Sequence, residues 1–227
     1  MKLIELKVTD STNEEAKRVP FEHGTCVTAL RQTAGKGRRG KSWLSEEGKG
    51  LYASFLLQPV RGPVSVAFGV AVYNALNELQ EGLFYLKWPN DVYAKGKKVA
   101  GVLVESLKGR LIVGVGINLS YDEKELRSLE RPATSLKALK VPFNRRELLR
   151  KLWDEVLKVH RQLKEGSFKV ETFEERCPLI GKRVEVEERG QLFSGIALGL
   201  DRDGALIVET ETGIKRLFSG EVSLRGV

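Results

Sequence analysis

The sequence predicts an α/β protein of the α+β type, with a mainly antiparallel mixed sheet backed by helices and a small β-rich domain after it. Short β-patterned runs joined by turns, including one at Lys108, fill residues 84–118, and an amphipathic helical pattern fills residues 145–165. Antiparallel strands can be joined by such tight turns, so the first region predicts a meander. The end of the chain holds only short alternating runs. We therefore expect two domains, residues 1–177 and 178–227.

The N-terminal segment predicts a strand and then a short capped helix. Residues 3–8 have a strand-like apolar pattern and lead into a polar stretch. The hydroxyl of Ser11 or of Thr12 fits a capping box with the glutamate three residues later, because such a hydroxyl accepts a free N–H of the first helical turn. The helix is expected to end before Pro20, since helical angles are disfavoured just before a proline.

The later elements follow from apolar patterns and from the positions of glycine and proline. A helix that starts at Pro63 is expected to end before Gly82, and Asn144 is expected to cap a longer helix that ends at Gly166. Five short strands are expected between residues 182 and 224, which is typical of a small barrel. The other expected strands are residues 26–32, 51–59, 84–88, 92–94, 98–106 and 110–118.

The positive charge is concentrated in one loop. The formal net charge is +8, and residues 31–50 alone carry six bases and two acids, which is half of the excess. Within them, residues 35–42 form a glycine-rich basic loop, in which glycines allow close backbone approach and arginines offer forked donors. This pattern favours a loop that binds an anionic ligand over a flexible loop that is only exposed to solvent. Nucleic acid, a membrane surface and a phosphate-bearing small molecule all remain open on charge alone.

The basic loop also matches the P-loop expression GxxxxGK[ST]. That motif requires a helix that starts at its lysine, because the helix N-terminus cradles the phosphates. Here Gly48 and Gly50 follow closely and a β-patterned run comes next, so a P-loop fold is not expected.

Composition excludes several other classes of protein. No run of about 18–20 apolar residues that could cross a membrane occurs, and the N-terminus lacks a signal-peptide layout, so a cytoplasmic protein without a membrane partner is expected. Cys26 and Cys177 have no ligand-like neighbours, so neither a zinc site nor a disulfide framework is expected.

Five motifs stand out along the chain: DSTN at residues 10–13, QTAGKGRRGKSW at 32–43, KWPND at 87–91, KVAGVLVE at 98–105 and GVGIN at 114–118. Their order and spacing resemble the biotin protein ligase family, and the closing residues 220–225 resemble the end of that family's small C-terminal domain. The family's basic loop usually has arginines where this chain has Lys36 and Lys41, which replaces two forked donors by point charges.

The resemblance implies a fold and an activity. It implies a catalytic domain similar to class II aminoacyl-tRNA synthetases, at residues 1–177, that binds biotin and ATP, and an SH3-like barrel at residues 178–227. Such enzymes use ATP, with Mg²⁺, to convert biotin to biotinyl-5′-AMP and pyrophosphate, and then transfer biotin to a lysine of a biotin carboxyl carrier protein. The length suggests the short form without an N-terminal DNA-binding domain, hence no DNA partner. A homodimer remains open.

The resemblance also implies site residues. Asp91 is expected to orient the target lysine, to act as its base or to hold Mg²⁺, and Lys87 to act electrostatically beside it; a local ion pair between the two is the simpler alternative. The expected biotin-binding residues are Ser11, Thr12, Asn13, Gln32, Lys36, Gly37, Arg38, Lys98 and Gly101. The expected ATP- or adenylate-binding residues are Arg38, Arg39, Lys41, Trp43, Asn90, Lys98 and Asn118. The expected catalytic residues are Arg38, Lys98, Asp91 and Lys87.

Two other functions compete with this one. A lipoate or octanoate protein ligase shares the chemistry, but the order of the motifs favours biotin. A nucleic-acid-binding protein could use the basic loop and the barrel. Against that function, residues 178–227 carry seven bases and eight acids and lack an aromatic run on which bases could stack.

Overall fold

The predicted strands assemble into two sheets, with helices packed on the larger one. In the computed structural model, the turn residue Lys108 and the last motif residue, Arg225, lie outside the described part of the chain. The structure describes residues 2–107, 109–127, 129, 131–188 and 190–224.

The larger sheet has seven strands in the order β1-β2-β3-β7-β6-β5-β4. β1 and β2 run parallel and every other neighbouring pair is antiparallel, which confirms the predicted mainly antiparallel mixed sheet. The parallel pair was not predicted, because the apolar pattern of a strand does not give its direction. The strands are β1 (Leu3–Thr9), β2 (Thr25–Gln32), β3 (Gly50–Leu57), β4 (Tyr85–Lys87), β5 (Asp91–Ala94), β6 (Lys97–Leu107) and β7 (Arg110–Asn118).

Helices cover both faces of this sheet. The helices α2 and α4 pack together over one face, and α1 packs on the other, against β2, β3 and β7. Successive residues of β2 accordingly belong to different cores, Cys26 to the larger one and Val27 to the one beneath α1. The helices are α1 (Thr12–Arg18), α2 (Val64–Asn77), α3 (Glu123–Leu126), α4 (Arg145–Glu165) and α5 (Glu171–Glu174).

The two predicted helix caps have different outcomes. The Asn144 side chain accepts from the N–H groups of Arg146 and Glu147 at 3.0 and 3.1 Å, and Gly166 ends α4 with φ 69°, as predicted. The capping box of α1 is wrong, because Ser11 takes the N-cap position without a side-chain cap hydrogen bond. The Thr12 hydroxyl donates instead to Oε1 of Gln32 at 3.1 Å. Tertiary contacts have therefore replaced the local cap.

The C-terminal part of the chain forms a five-stranded antiparallel sheet in the order β11-β10-β9-β8-β12. The edge strands β11 and β12 do not pair in the described residues, so backbone hydrogen bonds do not close the barrel. The boundary at residues 177 and 178 stays a prediction. The strands are β8 (Arg183–Glu188), β9 (Gln191–Leu200), β10 (Leu206–Thr210), β11 (Gly213–Leu217) and β12 (Glu221–Leu224).

The second sheet supports a turn of the first. Trp88, which follows β4, is 2% exposed, and its indole N–H donates to the carbonyl of Gly204 at 3.0 Å. This contact places the C-terminal sheet against the turn that carries Asn90 and Asp91. None of the helices in the described ranges is both long and apolar enough to cross a membrane.

Candidate functional site

One cleft of about 680 Å³ lies between the basic loop, the ends of the central strands and the C-terminal sheet. All of the residues that the sequence predicts for the site line this cleft, so the fold brings together segments more than 100 residues apart. Their individual roles stay predictions. These lining residues are Ser11, Thr12, Asn13, Gln32, Lys36, Gly37, Arg38, Arg39, Lys41, Trp43, Lys87, Asn90, Asp91, Lys98, Gly101 and Asn118.

The start of α1 carries a connected set of buried polar groups. Oε1 of Gln32 accepts from the backbone N–H of Thr12 at 2.8 Å and from its hydroxyl at 3.1 Å. The Ser54 hydroxyl lies 2.8 Å from Oγ1 of Thr12 and 2.6 Å from Oδ1 of Asn13. Asn13 donates through Nδ2 to Oε2 of Glu105 at 2.7 Å. Buried polar groups that are paired in this way hold a fixed orientation.

Two glycines of β7 leave the space that neighbouring side chains need. A Cβ on Gly114 would lie 2.1 Å from Oδ1 of Asn13, and one on Gly116 would lie 2.4 Å from the indole of Trp43. The indole therefore lies directly on the backbone of β7. Its Nε1 is buried and has no hydrogen-bond partner within the described residues.

Asp91 and Lys98 form an ion pair at the centre of the cleft. Nζ of Lys98 lies 2.7 Å from Oδ1 of Asp91, and the two side chains are 22% and 15% exposed. Gly101 lies opposite Asp91 in the sheet, and a Cβ there would come within 2.9 Å of Nζ of Lys98. The Lys98 ammonium also lies 5.2 Å from the centre of the Trp43 ring. A partly desolvated ammonium held in this way can interact strongly with an anion that enters the cleft.

Lys87 has a different environment. Its ammonium lies 4.8 Å from the centre of the Tyr93 ring, and burial lowers the pKa of Lys87 although the charge of Asp91 opposes this. In the residues that the structure covers, the carboxylate of Asp91 pairs with Lys98 and makes no ion pair with Lys87. The expected ion pair between Lys87 and Asp91 is therefore replaced by the ion pair between Asp91 on β5 and Lys98 on β6.

The basic loop folds as a tight turn and not as a P-loop. Lys36 and Ser42 form an isolated antiparallel bridge, and the N–H of Gly37 donates to the carbonyl of Lys41 at 2.6 Å. A short 3-10 turn spans Arg38–Gly40, with Arg39 at φ 55°. No helix starts at Lys41 in this described segment, so the helix N-terminus of a P-loop is missing, as the sequence predicts.

The cations of the loop have distinct partners. Arg38 reaches inward, where its Nη1 donates to Oδ1 of Asn90 at 3.1 Å and burial lowers the pKa of its guanidinium. Lys36 pairs with Glu14 at 2.6 Å, and Lys41 lies 3.7 Å from a carboxylate oxygen of Glu221. The two lysines that replace arginines are therefore the two that point to neighbouring carboxylates.

The sequence did not single out Arg131 or Glu221 as site residues. Both line the cleft, and they form an ion pair with each other. Burial acts to raise the pKa of Glu221, but the hydrogen bond and charge of Arg131 and the charges of Lys41 and Arg39 hold it below its usual value. Glu221 lay within a recognised motif, residues 220–225. Arg131 had no local signal.

The segment that carries Arg131, residues 131–134, is held by backbone hydrogen bonds to Lys98. The N–H of Lys98 donates to the carbonyl of Pro132 at 3.0 Å, and the N–H of Thr134 donates to the carbonyl of Lys98 at 2.9 Å. Asn118, which is 5% exposed, donates through Nδ2 to the carbonyl of Thr134 at 3.0 Å. This segment therefore joins the ends of β6 and β7 at the edge of the cleft.

The geometry does not favour a resident metal ion on Asp91. Its carboxylate already has the Lys98 ammonium at 2.7 Å, which repels a cation. The described residues contain no group of three His, Cys, Asp or Glu side chains that could hold a metal. Mg²⁺ is usually held by one or two carboxylates together with substrate phosphates. We assign no metal to this side chain.

Comparison with known proteins identifies the family. Residues 5–122, more than half of the chain, match the Biotin/lipoate A/B protein ligase family, and residues 179–225 match the Biotin protein ligase C terminal domain. The chain belongs to the biotin protein ligase family. Because the second domain is specific to biotin ligases by its description, the lipoate ligase alternative is not favoured. The chain is an enzyme of the ligase class.

Individual relatives agree with this assignment. The bifunctional ligase/repressor BirA of Bacillus subtilis is 31% identical over 96% of this chain and 72% of its own length. The biotin–[acetyl-CoA-carboxylase] ligase of Mycobacterium tuberculosis is 32% identical over 88% of this chain and 78% of its own. The structure of the biotin protein ligase from Aquifex aeolicus with biotin and ATP matches with a TM-score of 0.85 and 39% identity, covering 99% of this chain and 98% of that one. The predicted fold class is confirmed.

The contact between Gly114 and Asn13 gives a testable prediction for this ligase. In Gly114→Ala the new Cβ must displace the Asn13 amide, whose oxygen would lie 2.1 Å away. We expect the KM for biotin to rise about three- to tenfold, because the displaced amide would lose its predicted hydrogen bond to biotin, worth about 0.5–1.5 kcal/mol, while the KM for ATP changes little. Steady-state kinetics with each substrate varied in turn measures both values.

The matched control is Gly69→Ala in α2, where the nearest atom to a new Cβ is 3.6 Å away. This variant should keep both KM values. Equal rises in the two KM values for Gly114→Ala would contradict the specific link between Asn13 and biotin.

Proposed function

We propose that this chain joins biotin to ATP, giving biotinyl-5′-AMP and pyrophosphate, and then transfers the biotinyl group to one lysine of a biotin carboxyl carrier protein. The observation that carries this proposal is the single cleft that gathers every predicted site residue. At one end it has buried neutral hydrogen-bonding groups. It also has a cationic loop, and the Lys98 ammonium lies beside Trp43 and Asp91.

The neutral end suits the head of biotin. A ureido group needs both donors and acceptors, and the apolar body of biotin needs burial. Ser11, Thr12 and Asn13 are 2%, 4% and 3% exposed and line the cleft with Gln32. The hydrogen bonds of Thr12 with Gln32 and of Asn13 with Ser54 and Glu105 limit which polar atoms remain for a ligand. We assign this end to biotin, together with Lys36 and Gly37 at the start of the basic loop. The rest of the loop, with Trp43, is assigned to the nucleotide, and Arg38 is assigned to both ligands.

The first step requires an anion to attack an anion. A carboxylate oxygen of biotin bonds to the α-phosphorus of ATP, the bond from that phosphorus to the bridging oxygen breaks, and pyrophosphate leaves with the electron pair. Cations must offset the repulsion between carboxylate and phosphate. Lys98 is assigned to bridge the two groups. Arg38 and Lys41 are assigned to the phosphates, and Arg39, Asn90 and Asn118 to the rest of the nucleotide.

The second step transfers the biotinyl group. The amine of the carrier lysine attacks the acyl carbon, the bond from carbon to the phosphate oxygen breaks, and AMP leaves. The attacking group is ordinarily an ammonium with a pKa near ~10.4, so a proton must be removed. Asp91 is assigned to orient the incoming lysine and to accept that proton, and Lys87 is assigned to act electrostatically beside it.

Other parts of the proposal rest on the sequence and the family. The Mg²⁺ that accompanies ATP is expected to be held by its phosphates, since the two carboxylates among the described residues that line the cleft, Asp91 and Glu221, are already paired with Lys98 and Arg131. A cytoplasmic location, the absence of a DNA partner and a homodimer stay predictions.

Exchange of pyrophosphate into ATP by the purified protein tests the first step. We expect exchange to depend on added biotin, with lipoate and octanoate giving less than about a hundredth of the rate, because a site built for the ureido hydrogen bonds rejects ligands that lack them by large factors. Exchange that is supported by lipoate or octanoate instead would assign the chain to the related ligases. Specific binding of nucleic acid without any exchange would favour the nucleic-acid-binding alternative.

A further inference from the structure

Two buried tyrosines lie behind the segment into which the basic loop continues. This return segment, residues 43–46, begins with Trp43 and Leu44, which line the cleft. Tyr52 on β3 and Tyr121, just after β7, are 1% and 0% exposed. Neither tyrosine is among the described residues that line the cleft, so neither touches a ligand there.

The two phenol hydroxyls bind the backbone of the return segment. They lie 2.9 Å from each other. Oη of Tyr121 accepts from the N–H of Glu46 at 2.9 Å and lies 3.2 Å from the carbonyl of Leu44, while Oη of Tyr52 lies 3.1 Å from the carbonyl of Glu46. A hydroxyl has one proton and two lone pairs, so Tyr121 can accept from the N–H of Glu46 while the two phenol protons are shared among the two carbonyls and the contact between the hydroxyls.

The surrounding residues make this arrangement specific. A Cβ on Gly50 would lie 2.4 Å from the Tyr52 ring, so only glycine lets that ring take its place. Lys49 pairs with Glu46 at 3.0 Å, and its ammonium lies 5.7 Å from the centre of the Tyr121 ring. Burial raises the pKa of both tyrosines, so both hydroxyls stay protonated near neutral pH.

On its other side the return segment is tied to β2. Oγ of Ser45 accepts from Nε2 of Gln32 at 2.7 Å and donates to the carbonyl of Trp43 at 2.9 Å. The backbone N–H of Trp43 donates to the carbonyl of Gly35 at 2.9 Å, which closes the base of the basic loop. The position of Trp43 and of the loop therefore depends on a segment held between β2 and the tyrosine pair.

We propose that Tyr52 and Tyr121 are positioning residues for the nucleotide end of the cleft. By fixing Leu44 and Glu46 they set where Trp43 lies and how the basic loop closes over ATP and the adenylate. This inference rests on the proposed function. Its effect should be larger on ATP than on biotin, because Gln32 keeps two hydrogen bonds from Thr12 when the return segment loosens.

The kinetic test compares Tyr52→Phe and Tyr121→Phe with Tyr73→Phe, which removes a hydroxyl from α2, away from the cleft. In each of the first two variants we expect the KM for ATP to rise about three- to tenfold, the range for one neutral hydrogen bond, with kcat changed less than about twofold. Tyr73→Phe should match the wild type. An unchanged KM for ATP in both test variants would overturn the proposal.

A second test does not need ligase activity. Trypsin can cut the basic loop after Arg38, Arg39 or Lys41, and without substrates the test variants should be nicked there several times faster than the Tyr73→Phe control. Equal nicking would overturn the proposal, as would a rise at all sites together, because that indicates general loss of stability. If the wild type lacks biotin-dependent exchange, the proposed function fails, and faster nicking at the loop alone would still support the role of the tyrosine pair.

Discussion

Lys98→Ala is expected to remove nearly all adenylate formation while the protein remains folded. The Lys98 ammonium lies in the cleft between the Asp91 carboxylate at 2.7 Å and the Trp43 ring at 5.2 Å, and the Lys98 side chain is only 22% exposed. Losing a charged donor from a developing anion costs ~3–4 kcal/mol, so we expect the rate of biotin-dependent pyrophosphate exchange to fall about 100- to 1000-fold. The exchange assay, with thermal unfolding measured on the same sample, checks both parts of this result.

Two further variants separate the role of the charge from its effect on folding. Lys98→Ala leaves the carboxylate of Asp91 without its ion-pair partner. Part of any loss of exchange activity would then come from a distorted turn before Asp91. Lys98→Gln keeps a donor for Asp91 but no charge, and it should lose exchange to a similar extent with a smaller change in melting temperature. Lys97→Ala removes an adjacent lysine whose side chain is 44% exposed, and it should behave like the wild type. Near-normal exchange by Lys98→Ala would refute the assigned role.

The larger features of the fold follow from local patterns, and the exceptions involve contacts between distant segments. The long amphipathic helix α4 and its Asn144 cap were predictable because both the apolar stripe and the cap are local. The α1 capping box is missing because its N-cap, Ser11, makes no side-chain cap hydrogen bond, while Gln32, 20 residues from Thr12, accepts from both the N–H and the hydroxyl of Thr12. A capping rule compares local partners only, whereas a buried side chain from a neighbouring strand can offer a better one.

The site residues also fall into those that local motifs predict and those that depend on contacts between distant segments. Residues within short family-like motifs could be named from the sequence, and all of them line one cleft. The residues that orient them could not be named. Ser54 and Glu105 contact Asn13 from 41 and 92 positions along the chain, and no spacing rule connects them. Arg131 reaches the cleft because the residues that follow it form backbone hydrogen bonds with Lys98. Tyr121 contacts only backbone atoms of the return segment, and such contacts produce no recognisable pattern in the sequence.

The C-terminal sheet takes part in the same cleft. Glu221 on β12 contacts Lys41 of the basic loop and Arg131, while Trp88 binds Gly204 beside the Asn90 turn. A carboxylate among these cations neutralises part of their charge, which limits their mutual repulsion before an anionic ligand enters. The charge on the loop is thus partly offset by neighbouring carboxylates, Glu14 and Glu221.

Arg38→Ala is expected to let the adenylate escape before transfer. Arg38 is the loop cation that reaches inward, to Asn90 at 3.1 Å, and therefore joins the loop to the floor of the cleft. A hydrogen bond to a charged group contributes ~1.5–3 kcal/mol, so we expect release of biotinyl-5′-AMP to become about ten- to hundredfold faster. The released acyl phosphate anhydride then reacts with any accessible lysine. Biotin on a bystander protein such as serum albumin, detected by blotting, measures this release.

Arg31→Ala is the matched control, since Arg31 is exposed near the end of β2 and outside the residues that line the cleft, and its loss changes the net charge equally. It should label only the carrier protein. Adding excess free lysine should reduce bystander labelling by Arg38→Ala, because a diffusing adenylate is intercepted in solution, whereas labelling that required direct contact with the enzyme would persist. Strictly specific labelling by Arg38→Ala, with adenylate still formed, would contradict the idea that this arginine holds the loop closed.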